Sequence, residues 1–262
     1  MCRNRPIPCY HKKMTQPKKK SASLLESIHD ATTQDRANDF LLKKWRREAE
    51  KLRTVDPAIA YMALGIIEGF EGNLHDCREN FQKALRLVPN DSVTIRNYAA
   101  ALSGFGLFEE AETLFRSVMA SDPVGITKDI VIMKFNRGDF ESSLDLIERE
   151  WKKVSPATPH SLAASATEYA AYLKDGDVDA KYLLGMNDAA FEIARTMNVF
   201  VSRVTFQIQE DEEDSWLLCE LEVNADVGKV MEMELALTEK EVELDISPEQ
   251  NVKLVVAYKP LR

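Results

Sequence analysis

The sequence predicts a mostly α-helical protein: a short solenoid of helical hairpins followed by a small antiparallel β-sheet, α+β overall. Two observations carry this. A pattern of small, aromatic and proline residues recurs at a spacing of 34 in the middle of the chain. Near Val199 the apolar period then changes from helical to two.

The spacing is read directly from the residues. Cys77, Phe81 and Pro89 recur as Ala111, Phe115 and Pro123, each 34 residues on. Gly72-Asn73-Leu74 likewise parallels Gly106-Leu107-Phe108. Tyr61, Leu64 and Gly65 have Ile95, Tyr98 and Ala99 at the same offsets. The first unit spans 58–91 and includes Ala84; the second spans 92–125, with Val118 at the equivalent place. A small residue on each helix lets two backbones approach, an aromatic fills the gap between units, and proline stops a helix.

These residues resemble the tetratricopeptide repeat. The resemblance assigns repeat packing to Tyr61, Leu64, Gly65, Cys77, Phe81, Ala84, Pro89, Tyr98, Ala111, Phe115 and Pro123. Glu68 and Leu102 depart from it, standing where the family has a tyrosine. The pattern decays outward. Gly138-Asp139-Phe140 echoes the Gly106 turn at a spacing of 32, giving a unit at 126–156 with Ile147 in the aromatic place and Ser155-Pro156 closing it. A fourth pair is expected at 160–197, from His160–Leu173 and Val178–Met197, turning at Asp175-Gly176-Asp177. Upstream, Asp35–Arg53 reads as a helix with Leu41, Trp45, Glu48/Ala49 and Leu52 on one face, covering the open end of the array.

Beyond Val199, the runs Val204/Phe206/Ile208, Leu217/Cys219/Leu221/Val223, Val242/Leu244/Ile246 and Val252/Leu254/Val256/Tyr258 alternate as half-buried strands. Glu210–Asp214 and Ser247–Asn251 read as hairpin loops. The stretch 226–239 is read as another strand from Met231, Met233, Leu235 and Leu237, although its composition also suits a helix. Four or five antiparallel strands are therefore expected over 199–262. A sheet of that size needs support, so packing on the last helices is expected.

Charge divides the chain in the same way. The 262 residues hold 34 basic and 43 acidic groups, net −9, with 45% hydrophobic residues. Residues 1–20 carry seven bases and no acid, whereas 199–262 carry 15 acids and 6 bases. Residues 1–34 are expected to be a disordered basic tail. It lacks the apolar core of a secretory signal, and Met14 is an alternative start. Pro17-Lys18-Lys19-Lys20 offers the one place where nucleic acid could bind. No run of about 18 apolar residues is present, which excludes a membrane-spanning helix.

Catalytic and cofactor signatures are lacking: no phosphate loop, dinucleotide fingerprint, nucleophile elbow or zinc-protease helix. Asp226-Val227-Gly228-Lys229 reads as a turn. His11, His29, His75 and His160 are far apart, with no cysteine or carboxylate at ligand spacing. Cys2, Cys9, Cys77 and Cys219 are too scattered for a disulfide framework and point to a reducing, cytoplasmic setting. No catalytic residue, metal site or cofactor is assigned.

The tetratricopeptide resemblance implies a protein-binding groove on the first helix of each unit. Its expected lining is Ile59, Met62, Ile66 and Phe70, with Arg96 and Asn97 from the second unit. Family members that clamp a terminal carboxylate use Lys and Asn in the first unit; Met62 and Ile66 stand there, and only Asn97 fits. The apolar stripe must be covered by the chain itself or by an apolar segment of a partner. The expected function is a non-catalytic adaptor for a basic or apolar-helical protein. The alternatives are a nucleic-acid regulator acting through the tail and an enzyme with its site between helices and sheet.

Overall fold

A computed structural model describes residues 21–28, 39–154, 160–176, 178–211, 214–244 and 252–261. The chain is mostly helical, with a small sheet near its C-terminus. Helix α1 covers 21–28, and α2 is Asp39–Leu52. Three hairpins follow: α3 (Pro57–Phe70) with α4 (Leu74–Leu87), α5 (Ser92–Gly104) with α6 (Phe108–Ser117), and α7 (Pro123–Arg137) with α8 (Phe140–Leu146). The last continues through a π-helical segment, Ile147–Trp151, into α9 (Lys152–Val154). Then come α10 (His160–Asp175), α11 (Ala180–Thr196), β1 (Val201–Glu210), β2 (Ser215–Val223), α12 (Val227–Glu243) and β3 (Leu254–Pro260).

The three hairpins turn in one way. Gly72, Gly106 and Gly138 all take left-handed φ values, +79°, +73° and +87°. The next amide reaches back to close the helix: Asn73 to Glu68, Leu107 to Leu102 and Asp139 to Lys134, at 2.9–3.0 Å. This is the Schellman closure, and glycine is the residue that enters it without a Cβ penalty. Between units, Phe81 lies on Gly65, where a Cβ would come within 2.8 Å of the ring. The same ring stacks on Tyr98 at 5.0 Å. Pro89 sits in the turn after α4, whereas Pro123 opens α7 at its first turn, a position where its missing N–H costs nothing.

Helix α11 does not repeat this arrangement. The two helices of the expected fourth pair are present as α10 and α11, but α10 packs chiefly on α8, while α11 and the residues just past it run over the three turns. A Cβ on Gly138 would meet Leu183 and Asn187, one on Gly106 would meet Phe191, and one on Gly72 would meet the Asn198 carbonyl just past the helix. The step from one contact to the next is about seven residues, or roughly 10 Å of helix. Packed helices lie about 8–10 Å apart, so α11 meets one turn every two of its own turns.

Three expectations are overturned. The tail is not irregular to residue 34: 21–28 is helical, because Leu24 and Ile28, one helical turn apart, bury against Leu42, Trp45 and Leu64. The Trp45 indole donates to Ser27 at 3.0 Å. Residues 226–239, and Val242 beyond them, are not strands; they form α12. Asp226 is its N-cap, accepting from the Lys229 amide at 2.8 Å, rather than a plain turn. Val230, Met233 and Leu237 bury at helical spacing while Met231 and Leu235 face out. Finally, the sheet has three strands in the order β1-β2-β3; β1 and β2 are antiparallel, but β3 is parallel to β2. A helical crossover returns the chain in the same direction, so the second correction causes the third. Leu244 lies just past α12. The expected elements at Ile246, Ser247–Asn251 and Ser155-Pro156 lie outside the described residues, as do residues 1–20.

The later helices and the sheet share one core, while α1, α2 and one face of α3 form a second cluster. Phe206 of β1 inserts among Phe135, Phe140 and Tyr169, with ring centroids 4.9–5.9 Å away. The Tyr169 hydroxyl donates to the Phe206 carbonyl at 2.7 Å, and Tyr172 to that of Ser215 at 2.6 Å. Asn187, fully buried, links the Arg137 carbonyl to the Cys219 thiol. The sheet therefore rests on the last helices, as its size requires.

Candidate binding groove

The groove forms because residues distant in sequence end up beside the first helices of units one and two. Its base is Ile66, Gly69 and Phe70 of α3 with Val93, Asn97, Ala100 and Ala101 of α5. Leu25 and Ile28 of α1 and Leu42 of α2 wall one side. Phe200, Ser202, Asn224 and Leu261, from the end of the sheet nearest the helices, wall the other. The cavity measures about 430 Å³, within the range of a site that takes a small apolar ligand or a few side chains.

Phe200 is the hinge between groove and core. Its ring meets Phe70 and Phe105 edge-on, each at 5.3 Å. It lies so close to Gly104 that a Cβ there would come within 2.2 Å of the ring. The third strand reaches the groove because it runs parallel to β2: the Leu261 amide bonds to the Val223 carbonyl at 2.9 Å, which places Leu261 beside Asn224.

The expected groove residues divide. Ile66, Phe70 and Asn97 line the cavity together. Ile59 is half-buried against the core. Met62 is fully buried, its sulfur contacted by the Thr94 hydroxyl at 3.4 Å. Arg96 is occupied, held by Asp129 and by Asp122 at 3.0 Å. The repeat-packing residues Leu64, Cys77, Phe81, Ala84, Tyr98, Ala111 and Phe115 are buried, and Tyr61 is half-buried beneath Arg53 and Lys83.

Glu68 stands where the pattern that the chain resembles has a tyrosine. It is buried and pairs with Arg46 of α2 at 2.6 Å, while the Asn73 amide donates to its other oxygen at 3.0 Å. A tyrosine there would leave Arg46 with Glu71 as its remaining carboxylate, at 2.6 Å. Sequence reasoning missed Ala101 of α5 and every lining residue from outside α3 and α5: Leu25, Ile28, Leu42, Phe200, Ser202, Asn224 and Leu261. Only Leu24-Leu25 with Ile28 carried a signal, an apolar pair one helical turn before another apolar residue.

Among the described residues, none that lines the groove ionises, so its chemistry is desolvation plus amide and hydroxyl hydrogen bonding. Asn97 donates to the Val93 carbonyl at 2.8 Å and Ser202 to that of Glu222 at 2.9 Å. The buried thiols are held protonated: burial, with help from Glu68, pushes Cys77 up to about 12. Burial raises Cys219 further against the opposing Asn187 hydrogen bond. Histidine is not as isolated as its spacing suggests. His75, Asp76 and Glu79 of α4 bring ligand atoms within 4.8 Å of one another, contrary to expectation. All three are exposed, and Glu79 is already paired with Lys83 at 2.8 Å.

Among the described residues, no helix is long and apolar enough to cross a membrane. No family model matches the chain, and neither a curated protein nor a solved structure matches it.

Proposed function

We propose that this protein is a non-catalytic adaptor whose repeats are of the tetratricopeptide type and which captures an apolar segment of a partner protein in the α3/α5 groove. The observation that supports this is the groove itself: an apolar cavity of about 430 Å³ with no ionisable group among the described residues of its lining, built on a core that holds its walls in place. Such a lining favours apolar side chains, with Asn97 and Asn224 at its edge to meet backbone amides. The partner class is protein or peptide, and the free buried thiols fit a reducing, cytoplasmic location.

The test separates groove from core. Ile66→Lys and Ala100→Lys place a charge in the cavity without emptying the interior. Affinity capture with the full chain should lose its partner in both variants while the melting temperature stays near wild type. Met62→Lys, aimed at a fully buried position, should unfold the protein and serve as the contrast. Partner capture that survives both groove variants would sink the proposal.

A further inference from the structure

Helix α12 carries a second apolar surface that the groove does not use. Val227, Met231, Leu235 and Val242 are 64%, 68%, 65% and 79% exposed. At about 100° per residue they fall within an arc of roughly 80°, with Thr238 between them. The helix's buried face, Val230, Met233 and Leu237, lies on another side. One helix therefore shows two apolar faces, and among the described residues only one of them meets the body of the protein.

Charge selects the occupant. Glu232, Glu239 and Glu243 border the outer stripe on one side, and Glu234 and Glu241 on the other. Lys229 and Lys240, toward the helix's inner side, pair with Glu232 and Glu243 at 3.1 and 2.7 Å, which leaves Glu239 to charge that margin and Glu241 with Glu234 the other. Both margins of the stripe are thus acidic. Beside it runs a groove of about 340 Å³ between α12 and the start of β3, where Val252 and Val255 are exposed. The Glu234 carboxylate accepts the Tyr258 amide at 2.5 Å, which fixes the helix along the strand's outer edge.

We infer that the outer face of α12 is a docking surface for a basic amphipathic helix of a partner protein, apolar on the contact side with Lys or Arg on both flanks. A second copy of this chain would set net-acidic margins against net-acidic margins, and an anionic lipid surface would meet the same repulsion. A helix with cationic margins meets attraction on both sides while covering the exposed stripe.

The experiment uses the full chain and three synthetic 18-residue peptides, each read by fluorescence anisotropy. One has a leucine stripe with lysine margins, one has the same stripe with glutamate margins, and one has lysine margins with serine replacing leucine. The first should bind at least about tenfold more tightly than either other. Met231→Gln with Leu235→Gln should weaken it by about tenfold or more, as should the independent pair Val227→Gln with Val242→Gln. Ala100→Lys in the groove should leave it unchanged. Equal binding of the serine peptide, or affinity indifferent to both α12 pairs, would overturn the inference. So would self-association on sedimentation that either pair abolishes, or retention of the chain on phosphatidylserine vesicles that depends on the same residues.

Discussion

Gly106→Ala is the sharpest test of the strap formed by α11. Gly106 holds φ at +73°, where an L-residue costs roughly 1–2 kcal/mol. Its Cβ would also sit 2.4 Å from the Cβ of Phe191, which is buried in α11 and packs edge-on against Phe108 at 5.0 Å. A backbone-anchored atom cannot rotate aside, so α11 must shift, at a cost of about 1–3 kcal/mol for overpacking. Together these predict a loss of about 2–5 kcal/mol, or on the order of 4–20 °C in melting temperature for a chain of this size. Gly106→Asn, whose side chain tolerates left-handed backbone, should recover only the backbone share. Gly185→Ala supplies the opposite sign: it lies within α11, and its Cβ would meet only Leu244 carbons at 3.6–3.7 Å. It should stabilise by up to about 1 kcal/mol. Thermal melts followed by circular dichroism decide the matter. If Gly106→Ala melts with wild type, or if Gly106→Asn restores full stability, α11 does not press on the turn.

Three further predictions follow from buried or capped groups. The two buried thiols have native pKa values above the unfolded value of 9.0. Their contribution is complete below pH 9 and declines above it, each thiol losing about 1.4 kcal/mol by pH 10. Urea midpoints at pH 8 and 10 should therefore differ less in Cys77→Ala with Cys219→Ala than in wild type, and an unchanged difference would refute the assignment. Asp226→Ala should cost about 1 kcal/mol and speed amide exchange in the first turn of α12; a segment insensitive to that change would not be a capped helix. Arg46→Leu should cost about 1–3 kcal/mol, discounted because Arg46 is a third exposed, since it leaves the buried Glu68 without its cation. Glu71→Gln, at the exposed arm of the same pair, should cost less than about 0.5 kcal/mol, and equal losses would contradict the reading.

The stacked hairpins were legible because each packing residue has a local spacing. Gly65, Phe81 and Tyr98 do in space what their positions announce in sequence. Strands β1 and β2 were legible for the same reason, their alternation being long and uninterrupted. Helix α12 was not, because Met231/Leu235 and Met233/Leu237 satisfy both periods at once. Four apolar residues at every second place are also two pairs four apart on opposite faces of a helix. The error spreads: with a strand at 226–239, β3 returns antiparallel, and Leu261 ends at the far end of the sheet. With a helix there, β3 runs parallel and Leu261 meets Val223 beside the groove. The groove's far wall depended on topology that no local pattern encodes. Leu25 and Ile28 were obscured differently, by lying in a short apolar patch next to a strongly basic tail.

The strap also bears on how the groove binds. A solenoid made only of neighbour contacts can bend, and its binding face bends with it. Here α11 meets the turns at Gly138 and Gly106, and the chain leaving it meets the one at Gly72 through Asn198 and places Phe200 between Phe70 of the first unit and Phe105 of the second. The groove's base and far wall are thereby tied through one continuous core. Ordering such a site on binding costs little, because its side chains are already fixed by packing. Loosening the strap should then weaken partner binding without altering any residue that the partner touches. Gly106→Ala reports this as well as stability. At a temperature where it remains folded, its partner affinity should fall below that of Gly185→Ala, although neither glycine lines the groove.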